Sequence, residues 1–163
     1  MDYTLIATTT FGIEAITAKE LKGLGYEELK VEDGRVTFTG DEMDIAIANI
    51  WLRTAERILI QVANFKAETF EELFQGTKSV PWGDIIPVNG NMHIVGKSIK
   101  SKLFSVPDCQ SIVKKAVVEA MKKKYNRDWF SEDGPEYKIE VALLKDMVTL
   151  TIDTSGEGLH RRG

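Results

Sequence analysis

The chain is poor in the residues on which most enzyme chemistry depends. Its only cysteine is Cys109, so no internal disulfide can form. Its two histidines, His93 and His160, stand at no ligand spacing from Cys109 or from each other, and no metal site is expected. No apolar run reaches the roughly 18 residues of a membrane-spanning helix, so no membrane is expected as a partner. No apolar stretch follows a basic start near Met1, so no secretory signal is read there. Together these features suit a cytoplasmic protein. A phosphate-binding Walker loop is absent, and Gly156-Glu157-Gly158 is too short for a dinucleotide fingerprint. The acidic pairs Asp41/Glu42 and Glu71/Glu72 fall where helices are expected to begin, and acids are favoured there in any case. No catalytic residue is therefore assigned.

What the chain does have is charge of one sign gathered in one place. From Val95 to Arg127 there are nine Lys or Arg and two acids, a local charge of +7. The whole chain is -4, so the remainder carries -11. A partner feels the local field, and that asymmetry is more informative than the net charge. The second half of the stretch has helical spacing, with Ile112, Val113, Ala116, Val117, Ala120 and Met121 on one side. Ser111, Lys114, Lys115 and Lys122 gather on the other. Asp108, after Pro107, is the expected N-cap. Lys97, Lys100 and Lys102 precede the helix in a Ser- and Lys-rich loop, where ammonium groups and free backbone N–H groups suit phosphates. The candidates for nucleic-acid contact are thus Lys97, Lys100, Lys102, Ser111, Lys114, Lys115, Lys122 and Arg127. A solvated lysine face that binds nothing has the same pattern.

In chain order, residues 3–8 read as a strand, 12–24 as a helix ended by Gly23 and Gly25, and 26–32 as a strand. Asp33-Gly34 marks a hairpin into the strand 35–39. A helix capped by Asp41 or Thr39 and a strand over 57–65 complete a β-α-β-β-α-β order, which is ferredoxin-like. A second unit follows: a helix from Thr69, a turn at Val80-Pro81-Trp82-Gly83, a strand over 91–96, the basic helix, and strands over 137–144 and 147–153 joined at Lys145-Asp146. The expected class is α+β, with domains at 1–66 and 67–154.

Four local patterns carry a family resemblance. They are Thr9-Thr10-Phe11-Gly12-Ile13-Glu14 after the first strand, the run from Leu52 to Ile58, Phe70-Glu71-Glu72-Leu73-Phe74 with Val80-Pro81-Trp82, and the run from Ile152 to Gly163. With them the chain resembles the N-terminal half of THUMP-domain RNA methyltransferases that modify guanine N2 of 23S ribosomal RNA. The resemblance implies a ferredoxin-like domain, then a THUMP α/β domain that binds structured RNA, ribosomal RNA first. It also implies that residues 155–163, with Arg161 and Arg162, are a linker to a methyltransferase domain absent from these residues. S-adenosylmethionine would belong to the parent protein, and no cofactor is expected here. The alternatives are a protein-interaction or packing module without RNA affinity, and a THUMP module of a tRNA-modifying enzyme.

Four further expectations concern single residues. Arg53 and Arg57 are read as structural ion-pair partners. Trp82 is read as core. Trp129-Phe130, beside Arg127, is the better place for base stacking. Cys109 is read as a small buried side chain.

Overall fold

The computed structural model describes residues 2–155. The chain forms two compact units, one from its N-terminus to Gln61 together with Asp153 onward, the other from Val62 to Ile152. The first holds β1 (Tyr3–Thr9), α1 (Glu14–Gly23), β2 (Lys30–Glu32), β3 (Arg35–Gly40), α2 (Glu42–Trp51) and the start of β4 (Ala55–Lys66). Its strands lie in the order β2-β3-β1-β4, with β1 antiparallel to both neighbours. Leu5 lies in register with Phe38 and Ile60, and Ala7 with Val36 and Ile58. Alternation along the strands sends these rows to one face, where all six are buried. The helices α1 and α2 pack on this unit's strands and add Ala18, Leu21, Ile45 and Ala48 to the core. The ferredoxin-like element order is therefore as expected.

Local chemistry explains the boundaries. Asp41 caps α2 reciprocally: its carboxylate accepts from the Asp44 N–H at 3.1 Å, while the Asp44 carboxylate accepts from the Asp41 N–H at 2.8 Å. The strand expected over 26–32 shrinks to Lys30–Glu32. Tyr26 is the reason. Its ring packs 5.3 Å from Phe38 and its hydroxyl donates to Asp44 at 2.5 Å, which takes the segment out of the ladder. Glu14 ties the turn before α1 to the β2–β3 hairpin, accepting from the backbone N–H of Gly12 at 3.1 Å and of Gly34 at 2.7 Å. Those N–H groups, Gly34 first, hold its carboxyl below the usual range. The chain re-enters this unit at Thr154, which is fully buried. Its hydroxyl donates to the Ile58 carbonyl at 2.7 Å and accepts from Asn49 Nδ2 at 3.0 Å.

The second unit holds the end of β4, α3 (Phe70–Lys78), a short 3-10 turn at Trp82–Asp84, β5 (Asn91–Ile99), α4 (Val106–Tyr125), β6 (Glu136–Leu144) and β7 (Met147–Asp153). The strand order is β4-β7-β6-β5. β5 runs parallel to β6 across the α4 crossover, and β7 runs antiparallel to β6. Lys145 and Asp146 both take positive φ, 50° and 67°, as a tight two-residue hairpin requires. Tyr137, Ile139, Val141 and Leu143 of β6 form the buried side of the sheet, and α4 lies against it. Trp82 is fully buried, as expected, and its indole N–H donates to the Thr77 carbonyl at 2.8 Å.

Candidate nucleic-acid interface

The basic stretch does not fold as its spacing suggests at either end of the loop before α4. Lys97 lies within β5, which continues to Ile99 rather than ending near Gly96. The helix starts at Val106 with Ser105 as N-cap, so Asp108 lies in its first turn rather than capping it. Pro107 fits there because the first helical N–H groups need no intrahelical acceptor. Asn126, at φ 53°, closes the helix in the left-handed conformation. Cys109, Val113, Ala116, Val117 and Met121 form the buried stripe, with Ile112 and Ala120 half-buried beside it.

The candidate residues divide by what they already hold. Lys114 is half-buried and engaged twice: its ammonium donates to the Met92 carbonyl at 3.0 Å and to Glu132 at 2.5 Å. One turn earlier Gln110 donates to the Ile94 carbonyl at 3.2 Å. Both carbonyls belong to β5, which stands at the edge of the sheet order, so these two side chains cover part of an otherwise open edge. The expectation that Lys114 lies on a free polar face is therefore corrected. Lys97 pairs with Glu140 at 3.8 Å, and Lys122 with Glu119 at 3.3 Å one turn away. Lys102 pairs closely with Glu68, which Lys66 also approaches at 3.0 Å. That contact holds the Glu68 carboxyl below its usual range and raises the Lys102 ammonium above its own.

Lys100, Lys115 and Arg127 are exposed and have no acidic partner among the described residues. Ser111 is exposed too. Ser111, Lys115 and Lys122 fall within about 40° on α4, at ~100° per residue, a stripe about 16 Å long at 1.5 Å rise per residue. Beside it runs an open groove of about 570 Å³, lined by Met92, Ile94, Gln110, Ser111, Lys114 and Lys115 among others. A second groove of about 600 Å³ lies where α3 and α4 end, and includes Lys78, Trp82, Lys123 and Lys124. Lys123 is exposed there without an acidic partner among the described residues, whereas Lys124 packs over Gly83 and pairs with Asp84 at 2.9 Å.

The remaining expectations separate in the same way. Arg57 pairs with Asp153 at 3.7 Å, and the Arg53 backbone N–H is held by Glu20 at 3.1 Å while its side chain stays exposed. Trp129 is 73 % exposed, and Phe130 is half-buried edge-on to Tyr125 at 6.4 Å. Cys109 is buried and its thiol is pushed above the usual range, first by burial and then by Asp108. Among the described residues no group of His, Cys, Asp or Glu could hold a metal ion, and no helix is long and apolar enough to cross a membrane. Gly156 to Gly163, including Arg161 and Arg162, lie outside the described residues.

Comparison with known proteins fits this architecture. Residues 67–153 match the THUMP domain, more than half of the chain, and residues 4–59 match the RlmL ferredoxin-like domain. The chain belongs to the THUMP-domain family. It is 57 % identical to the Bacillus subtilis protein "Putative RNA methyltransferase YpsC", over 99 % of this chain and 42 % of that protein. It is 28 % identical to a "Ribosomal RNA large subunit methyltransferase K/L" of Marinomonas, over 99 % of this chain and 22 % of that protein. A solved Listeria monocytogenes structure described as "a predicted N6-adenine-specific DNA methylase" superposes with a TM-score of 0.92 at 52 % identity. The superposition covers 95 % of this chain and 41 % of that one. The chain thus spans about two fifths or less of the proteins it matches. Sequence reasoning found the basic helix and missed which lysines are spent internally. Their acidic partners Glu68, Glu132 and Glu140 come from segments far away in sequence.

Proposed function

We propose that this chain is the RNA-binding, substrate-targeting part of an S-adenosylmethionine-dependent RNA methyltransferase, and that guanine N2 of 23S ribosomal RNA is the modified atom. The observation that carries the proposal is the Ser111–Lys115–Lys122 stripe on the long helix of a THUMP domain, with Ser111 and Lys115 exposed and Lys122 half-buried beside Glu119. Lysines on a helix face bind phosphate and sugar without reading base sequence, which suits recognition of a folded RNA. The names of the Bacillus and Marinomonas relatives support a methyltransferase acting on RNA, and the second supports ribosomal RNA. The Listeria structure's description points to DNA instead, so a DNA duplex of matching sequence is the natural comparator. No glycine-rich turn joins a strand to a helix among the described residues in the way a nucleotide cofactor needs, and no methyl-transfer step is derived through them. Methyl transfer is assigned to the remaining length of the longer protein, in the cytoplasm.

The test is equilibrium binding of a folded ribosomal RNA fragment, a transfer RNA and a DNA duplex across a salt series. Preference for the ribosomal fragment is expected, with affinity falling as salt rises, by ~0.7–0.9 in log–log slope per phosphate contacted. Tighter binding of transfer RNA favours a tRNA-modifying parent. No binding of any RNA at low salt refutes the proposal and leaves a packing module.

A further inference from the structure

One end of the second unit carries large apolar side chains that stand exposed among the described residues. Ile99 of β5 is in register with Leu144 of β6, and Leu144 with Met147 of β7. Partners in register project from the same face of a sheet. Their neighbours Leu143 and Val148 face the core, so this row lies on the other face, and its members are 51 %, 53 % and 41 % exposed. Phe104, in the loop between β5 and α4, is 81 % exposed, the most exposed large apolar residue among those described.

That exposure is not the slackness of a loose loop. Ser98 Oγ donates to the Leu103 carbonyl at 2.7 Å, and Ser101 Oγ donates to the Ile99 carbonyl at 3.0 Å. The hairpin closes on the loop from the other side. The Lys145 N–H donates to the Ile99 carbonyl at 3.0 Å, the Asp146 N–H to Ser101 Oγ at 2.9 Å, and the Lys102 N–H to the Asp146 carboxylate at 2.7 Å. Leu103 is buried on one side of Phe104, and Ser105, the N-cap of α4, follows on the other. The ring is therefore presented to water by a fixed backbone.

The charges around it are unequal. Asp146, Glu68 and Glu140 are each engaged, by the Lys102 backbone, by Lys66 and Lys102, and by Lys97. Lys100, held at φ 50°, and Lys145, at the hairpin tip, are exposed and have no acidic partner among the described residues. A protruding aromatic side chain on a loop that also carries Lys100 and is tied to the Lys145 hairpin suits a flat, apolar group attached to an anionic chain. An unpaired nucleobase between phosphates has that chemistry, whereas a base inside a duplex has both faces covered by its neighbours.

Resting on the RNA-binding reading, we infer that Phe104 is a stacking platform for an unpaired base of the bound RNA, with Lys100 and Lys145 on the flanking phosphates. The site is distinct from the α4 stripe and adds a requirement for single-stranded nucleotides beside the folded part of the substrate.

The test uses the 163-residue chain and two RNAs that share one stem, the first blunt-ended and the second with a short unpaired extension. The wild type is expected to prefer the extended RNA. Phe104→Ala and Phe104→Leu are expected to lose about ten-fold on the extended RNA, within the range for one base–aromatic stack, and nothing on the blunt one. Phe104→Trp is expected to retain the preference. Thermal melting of each variant shows that the fold is intact, as expected for an exposed side chain. Equal affinity of Phe104→Ala and wild type for the extended RNA overturns the inference. So does an equal loss on both RNAs, or full retention by Phe104→Leu, which would make the contact apolar packing against another kind of partner. If the wild type binds neither RNA, the RNA-binding reading fails first and this inference falls with it.

Discussion

Lys114 and Lys115 are adjacent in sequence and alike in chemistry, yet the structure gives them opposite work. Lys115 is exposed and unpaired among the described residues, while Lys114 donates to the Met92 carbonyl and to Glu132. Reversing each charge separates the two roles. A charge-assisted hydrogen bond to a carbonyl is worth about 1.5–3 kcal/mol when buried. With its side chain 35 % exposed, Lys114 realises about half of that, and its exposed ion pair adds about 0–1 kcal/mol. Lys114→Glu also places a second carboxylate beside Glu132 and leaves the Met92 carbonyl to water. The expected loss is about 2 kcal/mol, or roughly 4–8 °C in Tm for a chain of this size. Lys115→Glu touches no internal partner, and its Tm should move by less than the equivalent of ~0.5 kcal/mol. Its effect falls on RNA instead: weaker binding, and a salt dependence shallower by about one phosphate contact. Calorimetry and a salt titration on both variants decide the matter. A Tm for Lys114→Glu equal to wild type would refute the edge-covering role, and unchanged RNA affinity in Lys115→Glu would refute the stripe.

The other predictions concern the scaffold. The Glu14 carboxyl is lowered by the Gly34 and Gly12 N–H groups, so its contribution to stability is present above the unfolded value near ~4.3 and is lost as pH falls through the lower folded value. Glu14→Gln should therefore flatten the acid limb of the stability curve, and an unchanged limb in acid titration would argue against this tie. Cys109 is buried with a raised thiol pKa, so alkylation by iodoacetamide at neutral pH should be slow in the folded chain and fast in denaturant, as mass spectrometry would show. Thr154→Val keeps the shape and removes two buried hydrogen bonds, the hydroxyl's to the Ile58 carbonyl and the one from Asn49 Nδ2, while the Thr154 N–H still donates to Ile58 and Asn49 to the Ile45 carbonyl; at about 0.5–1.5 kcal/mol each, a loss of about 1–3 kcal/mol is expected in urea unfolding. Ending the chain before Thr154 should cost at least as much.

Most of the fold was legible because the sequence repeats its instructions at several levels. Leu5, Ile6 and Ala7 give β1 a short buried apolar run, Asp33-Gly34 and Lys145-Asp146 mark hairpins, and α4 keeps one apolar stripe from Cys109 to Met121. Errors arose where a tertiary contact competed with local pattern. Tyr26 looks like a strand residue until its hydroxyl finds Asp44, eighteen positions away. Pro107-Asp108 looks like a helix start until Val106 is seen inside the first turn, which proline tolerates without loss of a hydrogen bond. The strand β5 runs on to Ile99 because β6 pairs with it to its last residue, Leu144, which no local signal at Gly96 announces.

The basic segment was legible as charge but not as a surface, because sequence records how many lysines there are and not which carboxylates they meet. Four of the eight candidates have acidic partners: Lys97, Lys102, Lys114 and Lys122. Only Glu119 is near enough in sequence to have been foreseen, three positions from Lys122. An ion pair half in water is weak, and a phosphate can displace the carboxylate from Lys97 or Lys122 with little penalty. Lys114 differs because its second bond goes to a backbone carbonyl that no phosphate can replace. The segment therefore contains lysines of three kinds: those free to meet a phosphate, those exchangeable between carboxylate and phosphate, and one committed to the sheet edge. Phe104 escaped notice for the complementary reason. No local signal marks a phenylalanine between Leu103 and Ser105 as exposed, and only the hydrogen bonds of Ser98, Ser101 and Asp146 show that the loop holds it outside.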